Sequence, residues 1–376
     1  MQNHILYTEL IATRVSRVSF IFTALDDWMK GSNMTAMRVL IEARPFARFG
    51  AGHMERLRDC GFELIDMRGS GVEEPAFMEA LKQVDLVLSG NDLVVDGNLL
   101  DAAPNIRAVC KLGVGLDMID INAATARGVL VFHTPGANDQ AVADHTFALI
   151  LSLARQIVRF HTGVLSGLWE HTTVLGMEIA QKTFGIVGLG SIGRNVALRA
   201  KGFGCSVVAS DPYWPEAFAN EHKIERVELD QLLRVSDIVS LHCPFVPSSY
   251  KLIGERELSL MKPTAILVNT ARGELVDEAA LCRFLKEGRI AGAALDVLEN
   301  EPPKGSPILS APNVILSPHT AAFTLESMDK MSKGCVDQII EYAEGGLPRH
   351  AVNREAFHPY GTGLAGVCME SACNAN

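Results

Sequence analysis

The sequence predicts an α/β protein of two lobes, each a doubly wound parallel sheet, and three observations carry that prediction. The chain of 376 residues is too long for one average domain and suits two lobes that each bury a core. From Met37 onward, short β-rich apolar runs alternate with helix-length amphipathic segments, which is the pattern of βαβ units. One such unit, FGIVGLGSIGRN from Phe184 to Asn195, carries Gly188, Gly190 and Gly193 at the spacing of a dinucleotide-binding turn.

Residues 1–36 stand outside the alternation. RVSRVSFIFTALDDW sets two arginines before a short apolar run, as a secretory leader does, but Asp26 and Asp27 fall where small cleavage-site residues belong. A non-core extension is expected there. In the first lobe MRVLIEA, FELIDM, VDLVLSG, IRAVCKL and GVLVFHT are expected strands, and GHMERLRDC is a helix stopped by Gly61. DQAVADHTFALILSLARQIVRF, from Asp139 to about Phe160, holds neither Pro nor Gly and predicts one long helix bridging the lobes. The second series, TFGIVGL, CSVVASD, IVSLHCP, AILVNTA, AGAALDV and NVILSPH, is apolar on both parities, as strands buried on both faces are. A helix from about Leu325 to Tyr342 follows, then GGLPRHAVN, and the tail 354–376 lacks periodicity and is expected to be disordered.

Composition excludes several functions. A formal charge of -10, from 44 acidic against 34 basic residues with no Lys/Arg block, argues against a nucleic-acid partner. No apolar run reaches the ~18 residues of a membrane span. The 8 cysteines, Cys60, Cys110, Cys205, Cys243, Cys282, Cys335, Cys368 and Cys373, form no C-x-x-C pair, so reduced thiols in a cytoplasmic protein are expected, with no metal site.

The glycine spacing has a physical reading. In a βαβ unit the first glycine permits the tight turn, the second admits a pyrophosphate against the backbone, and the third brings the helix close to the strand. Phosphates then rest on the positive helix N-terminus. CSVVASD ends in Asp211, about 20 residues on, where an acid that binds the adenosine ribose is expected. That carboxylate would repel a 2'-phosphate, so the cofactor is expected to be NAD rather than NADP.

Three later strands finish in charged or titratable residues. AILVNTARG delivers Arg272, AGAALDVLENEPP delivers Asp296 and Glu301, and NVILSPHTAA delivers His319. Ligands of open parallel sheets bind beyond such strand ends. An imidazole backed by a carboxylate suits proton transfer near neutral pH, and a guanidinium fork grips a carboxylate bidentately. These parts fit hydride transfer between NADH and a 2-oxo acid, with His319 donating the proton, Glu301 orienting it, and Arg272 holding the acid.

With KLGVGLDMID, NDQAVADHTFALIL, GIVGLGSIGR, SDPY, LVNTARGELVDEAAL, AGAALDVLENEPP and SPHTAA in place, the chain resembles the D-isomer-specific 2-hydroxyacid dehydrogenases from about Met37 to Asn353. The resemblance implies a catalytic trio of Arg272, Glu301 and His319, and carboxylate binding by the backbone N–H groups of Val114 and Gly115. It implies cofactor contacts from Gly190, Ser191, Ile192, Asp211, Cys243, Thr270, Ala271 and Asp296, beside Gly188 and Gly193 of the turn. It also implies a Rossmann NAD-binding domain, 138–320, inserted in a flavodoxin-like substrate-binding domain, 37–137 with 321–353. A homodimer through the NAD-binding domain is implied too, with LSGLWEHTTVLG as part of the contact; simple core packing is the other reading of Trp169.

Within that family, Ser89 stands where phosphoglycerate dehydrogenases often place arginine, which favours a small acid of the hydroxypyruvate or glyoxylate type. Lys111 and Arg155, placed as in that subfamily, keep D-3-phosphoglycerate dehydrogenase as an alternative. An NAD(H)-sensing, corepressor-like binding protein is a second alternative. An L-specific lactate-type enzyme fits less well, because its glycine loop lies near the N-terminus and here a whole lobe precedes it.

Overall fold

Two parallel sheets hold the named strands of the computed structural model, which describes residues 36–48, 52–169 and 174–359. The first contains β1 (Arg38–Ile41), β2 (Glu63–Asp66), β3 (Leu86–Ser89), β4 (Ala108–Lys111) and β5 (Leu130–Phe132). Their order is β2-β1-β3-β4-β5, the flavodoxin-like arrangement. Helices α1 (His53–Asp59), α2 (Pro75–Leu81), α3 (Gly97–Ala102) and α4 (Ile121–Ala126) connect them, and Gly61 stops α1 with a left-handed φ of 86°. The strands alternate between two cores: Val39, Ile41, Leu86, Leu88 and Cys110 face one, while Leu40, Val87 and Val109 face the other.

After β5 the chain forms α5 (Asp139–Ala154) and α6 (Ile157–Leu165), two helices bent by 63° where the sequence predicts one. The cause lies in the neighbouring strand of chain. The Ala154 carbonyl, which the next helical turn would use, accepts from the Met177 N–H at 2.7 Å, and Gln156 turns left-handed at φ 54°. No Gly or Pro marks this break. α5 is buried against the second sheet through Phe147, Ile150 and Leu153, whereas α6 has no buried residue.

The second sheet runs β12-β11-β10-β9-β6-β7-β8, all parallel. Its elements in chain order are β6 (Thr183–Val187), α7 (Ser191–Gly202), β7 (Ser206–Ser210), α8 (Glu216–Glu221), β8 (Glu225–Arg226), α9 (Leu229–Val235), β9 (Ile238–Leu241), α10 (Glu255–Leu260), β10 (Ile266–Asn269), α11 (Glu278–Lys286), β11 (Gly292–Leu295) and β12 (Val314–Leu316). The strand order is that of a dinucleotide-binding sheet, with the reversal between β6 and β9. Strand β8 escapes the sequence reading because its residues are exposed and charged.

The chain then returns to the first sheet. Helix α12 (Leu325–Ala343) lays Met328, Met331, Val336 and Ile339 in the core with Val39 and Leu88. Ala351 bridges Phe132, and the Asn353 side chain accepts from Val131 N–H at 2.7 Å while donating to the Val129 carbonyl at 2.9 Å. The tail expected to be disordered from residue 354 is not so at its start: Arg354–Ala356 form a 3-10 turn, Ala356 is buried, and the Phe357 ring meets Tyr342. The remaining expectations for 1–35 and 360–376 lie outside the described residues.

Among the described residues no single helix is long and apolar enough to cross a membrane; only the bent α5–α6 pair has the composition, and α5 is mostly buried. No group of His, Cys, Asp or Glu among them is arranged to hold a metal ion.

Candidate active site

The glycine loop joins β6 to α7, and each glycine meets a different neighbour. Gly188 takes φ 95°, and a Cβ there would stand 2.6 Å from the Cys243 backbone nitrogen. A Cβ on Gly193 would stand 2.1 Å from the Gly188 carbonyl oxygen, so only a glycine lets α7 sit this close to its strand. Around Gly190, by contrast, the space within 4 Å is open. That opening lies at the N-cap of α7, where free backbone N–H groups and the helix dipole suit a pyrophosphate.

Asp211 stands just past β7. One of its oxygens accepts from Leu189 N–H and the other from Tyr213 N–H, each at 2.6 Å, which points the acid at the loop. Ser191 donates to Asp139 at the start of α5, and Ile192 packs on the core under the sheet. Cys243 follows β9, where burial pushes its thiol up to about 11, so it is an uncharged wall of the crevice. The adjoining His242 is driven by burial down to about 3, and its Nδ1 is buried with no partner. Thr270 bonds Thr146 of α5 at 3.0 Å, and Ala271 N–H donates to the Asn269 side chain at 3.0 Å, which fixes the turn before Arg272. The open Gly190 position, the helix end and the Asp211 carboxylate fit an adenine dinucleotide without a 2'-phosphate.

The strand-end residues then assemble as a linked system. His319 Nδ1 and Glu301 Oε2 are 2.7 Å apart, and Glu301 also accepts from Leu298 N–H at 3.1 Å. Burial works to raise the Glu301 pKa, but the His319 hydrogen bond and charge and the Leu298 N–H outweigh it, leaving the group below the usual carboxylate value. It is therefore an anion throughout the neutral range. The loop bearing Arg272 touches this one through Gly273, where a Cβ would stand 2.0 Å from the Leu298 backbone.

Asp296 is the anchor of the His319 loop. Its carboxylate accepts from Thr320 N–H at 2.9 Å, Ala321 N–H at 2.9 Å and Ser317 Oγ at 2.6 Å, and its backbone carbonyl accepts from His319 N–H at 2.8 Å. His145 of α5 reaches in with Nε2 2.9 Å from Ser317 Oγ and 3.3 Å from Asp296. Burial opposes ionisation, yet these hydrogen bonds hold Asp296 at about 2. The clamp keeps His319 at a left-handed φ of 52°, a conformation a histidine rarely adopts unless its surroundings impose it.

Arg272 crosses to the first sheet. Its Nε donates to Asp117 Oδ2 at 2.7 Å and its Nη1 to the Ala271 carbonyl at 2.6 Å. A Cβ on Gly115 would stand 1.8 Å from Nη2, so the guanidinium lies directly against Gly115. The Val114 carbonyl is held by His133 Nδ1 at 2.9 Å. The structure thus brings His319, Glu301 and Asp296 together, and Arg272 together with Gly115. Asp117, His145 and Ser317 were missed from sequence. Asp117, His145 and Ser317 lie inside the stretches KLGVGLDMID, NDQAVADHTFALIL and SPHTAA that carry the family resemblance, the one signal that could have exposed them.

A proton-carrying imidazole and an anion-gripping arginine around a dinucleotide cradle define a hydride-transferring oxidoreductase. The chain belongs to the D-isomer specific 2-hydroxyacid dehydrogenases: the model of that family's NAD binding domain matches residues 147–321. It is 42% identical over 283 residues to a glyoxylate reductase of Korarchaeum cryptofilum, spanning 74% of this chain and 85% of that one. It is 37% identical over 285 residues to a D-3-phosphoglycerate dehydrogenase of Methanocaldococcus jannaschii, spanning 76% of this chain and only 54% of that one. Among solved structures, a glyoxylate reductase from Paecilomyes thermophila superposes with a TM-score of 0.76 at 32% identity, covering 85% of this chain and 99% of its own. The protein is an NAD-dependent enzyme acting on the CH–OH group of D-2-hydroxy acids.

Proposed function

We propose that the enzyme interconverts a small, unphosphorylated D-2-hydroxy acid of the glyoxylate or hydroxypyruvate type and its 2-oxo acid, with Arg272, Glu301 and His319 as its catalytic residues. The 2.7 Å pairing of His319 Nδ1 with Glu301 carries this reading, because it commits one ring nitrogen to an anion and leaves Nε2 to hold the transferable proton. Bound NADH supplies the hydride. Arg272 Nη2, resting on Gly115, receives the substrate carboxylate together with the N–H groups of Val114 and Gly115. His319 protonates the carbonyl oxygen in reduction and takes a proton from the hydroxyl in oxidation. The glyoxylate reductases among the relatives support the substrate class.

The domain division that accompanies this reading joins 37–137 with 321–353 for substrate and gives 138–320 to NAD. The packing of α12 on the first sheet and of α5 on the second supports it. A cytoplasmic homodimer through the NAD-binding domain completes it. Its support is the apolar surface of Val158, Val164, Leu165, Leu168, Trp169 and Leu175; Trp169 is 82% exposed, so it does not pack in the core.

The test is NADH oxidation by the purified enzyme across a panel of 2-oxo acids, repeated with His319→Ala. Turnover lost in the variant by a factor of about 10²–10⁴, with NADH binding retained, is the expected result. No turnover on any acid by the parent enzyme would refute the proposal and favour a binding protein.

A further inference from the structure

The two residues that follow β5 hold consecutive peptide units of the loop after β4 by their carbonyls. The Gly113 carbonyl accepts from Thr134 N–H at 3.0 Å and from Thr134 Oγ1 at 3.2 Å, and the Val114 carbonyl accepts from His133 Nδ1 at 2.9 Å. Gly113 N–H donates back to Thr134 Oγ1 at 3.0 Å. A trans peptide points its N–H opposite its carbonyl, so the other ends of these two units, the N–H groups of Val114 and Gly115, are turned away from His133 and Thr134. Among the described residues neither N–H has an acceptor. Both residues keep part of their surface in solvent, and Arg272 Nη2 lies against Gly115 beside them.

His133 is itself fixed. Its carbonyl accepts from Gln338 Nε2 of α12 at 2.9 Å, and Gln338 Oε1 in turn accepts from His350 N–H at 3.0 Å. A carbonyl can only accept, so the ring nitrogen that faces Val114 is the protonated one. Burial and the charge of His350 hold the imidazole below its usual value, against the pull of the Val114 hydrogen bond. The ring is therefore neutral in the neutral range and brings no cation to the site. What it supplies is the direction of one peptide.

We infer that His133 and Thr134 are positioning residues that aim the Val114 and Gly115 N–H groups at the substrate carboxylate before it arrives. The inference rests on the proposed function, which puts the carboxylate there; what it adds is the pair of side chains behind the backbone. Two donors fixed in advance need no reorganisation when the anion binds. A hydrogen bond to a peptide's carbonyl also polarises its N–H, which strengthens the grip. The carboxylate keeps its charge through hydride transfer, so the grip acts alike on bound substrate and transition state. Its loss should therefore appear in KM and not in kcat.

The experiment measures KM and kcat for NADH-dependent reduction of the 2-oxo acid that the parent enzyme turns over best, with an NADH binding titration on each protein. His133→Leu fills similar space without a donor, whereas His133→Asn sets an N–H donor at the same number of bonds from Cβ. His133→Leu should raise KM at least about tenfold, the worth of a weakened hydrogen bond to a charged group, with kcat within about threefold of the parent and NADH affinity unchanged. His133→Asn should bring KM back to within about threefold of the parent, because a donor and not a charge is what the site uses. Should His133→Leu fail to fold, Thr134→Val against Thr134→Ser asks the same question at Gly113: KM should rise at least about threefold in the first and stay near the parent in the second. An unchanged KM in His133→Leu, a kcat that falls as far as KM rises, a His133→Asn enzyme no better than His133→Leu, or equal KM values in the two Thr134 variants would overturn this inference and leave the proposed function standing. No turnover of any 2-oxo acid by the parent enzyme would overturn both.

Discussion

Replacing Gly115 by alanine tests the arginine's role without touching the arginine. The added methyl would stand 1.8 Å from Arg272 Nη2 and 2.9 Å from Asp117 Oδ2, where ordinary contact begins near 3.4 Å. Both are side-chain tips, so the guanidinium can swing away by more than an ångström while the backbone stays. Gly115 is not in the left-handed region, and alanine therefore adds no backbone strain there. Stability should change by less than about 1 kcal/mol. Activity should not be spared, because the fork loses its aim at the substrate carboxylate. A charge-assisted hydrogen bond contributes about 1.5–3 kcal/mol, which corresponds to a loss of roughly 10- to 150-fold in kcat/KM. The assay is steady-state NADH oxidation with an NADH binding titration and thermal unfolding as controls. A variant that keeps kcat/KM within about threefold would show that the Arg272–Gly115 contact has no part in substrate binding.

Three further predictions address the cofactor loop, the anchor and the trio. Gly193→Ala sets a methyl 2.1 Å from the backbone oxygen of Gly188, which cannot swing aside; α7 must lift from β6, weakening NADH binding at least about tenfold and costing ~1–3 kcal/mol in a denaturant titration. Asp296→Asn removes an anion whose pKa is held at about 2, below its unfolded value near 3.9. The parent enzyme's advantage over this variant, about 2 kcal/mol at neutral pH, is therefore fully present above pH ~4 and should fade as pH falls towards 2, read by urea titrations across that range. Glu301→Gln keeps the shape but removes the charge behind His319, so the alkaline limb of the reduction pH profile should move to lower pH, with kcat reduced more than NADH affinity.

Much of the fold was legible because burial leaves its mark on composition. The strands β6, β9, β10 and β11 are sheathed on both faces and read as mainly apolar runs on both parities. The two-residue β8 lies at the sheet edge with Glu225 and Arg226 exposed, so it carries no such mark. The break between α5 and α6 was invisible for a different reason: it depends on a hydrogen bond from Met177, a tertiary contact with no local sequence signal. The site divides in the same way. His319, Glu301, Asp296 and Arg272 follow strand ends, where chemistry is expected, but the grip of Asp117 on Arg272 joins loops that follow strands of separate sheets.

The most direct measurement is kcat/KM against pH in both directions of the reaction. If one proton on His319 is given in reduction and taken in oxidation, reduction must decline as pH rises and oxidation must decline as pH falls, through the same ionisation. Two profiles that bend the same way, or that persist unchanged in His319→Ala, would contradict the assignment on which the whole account depends.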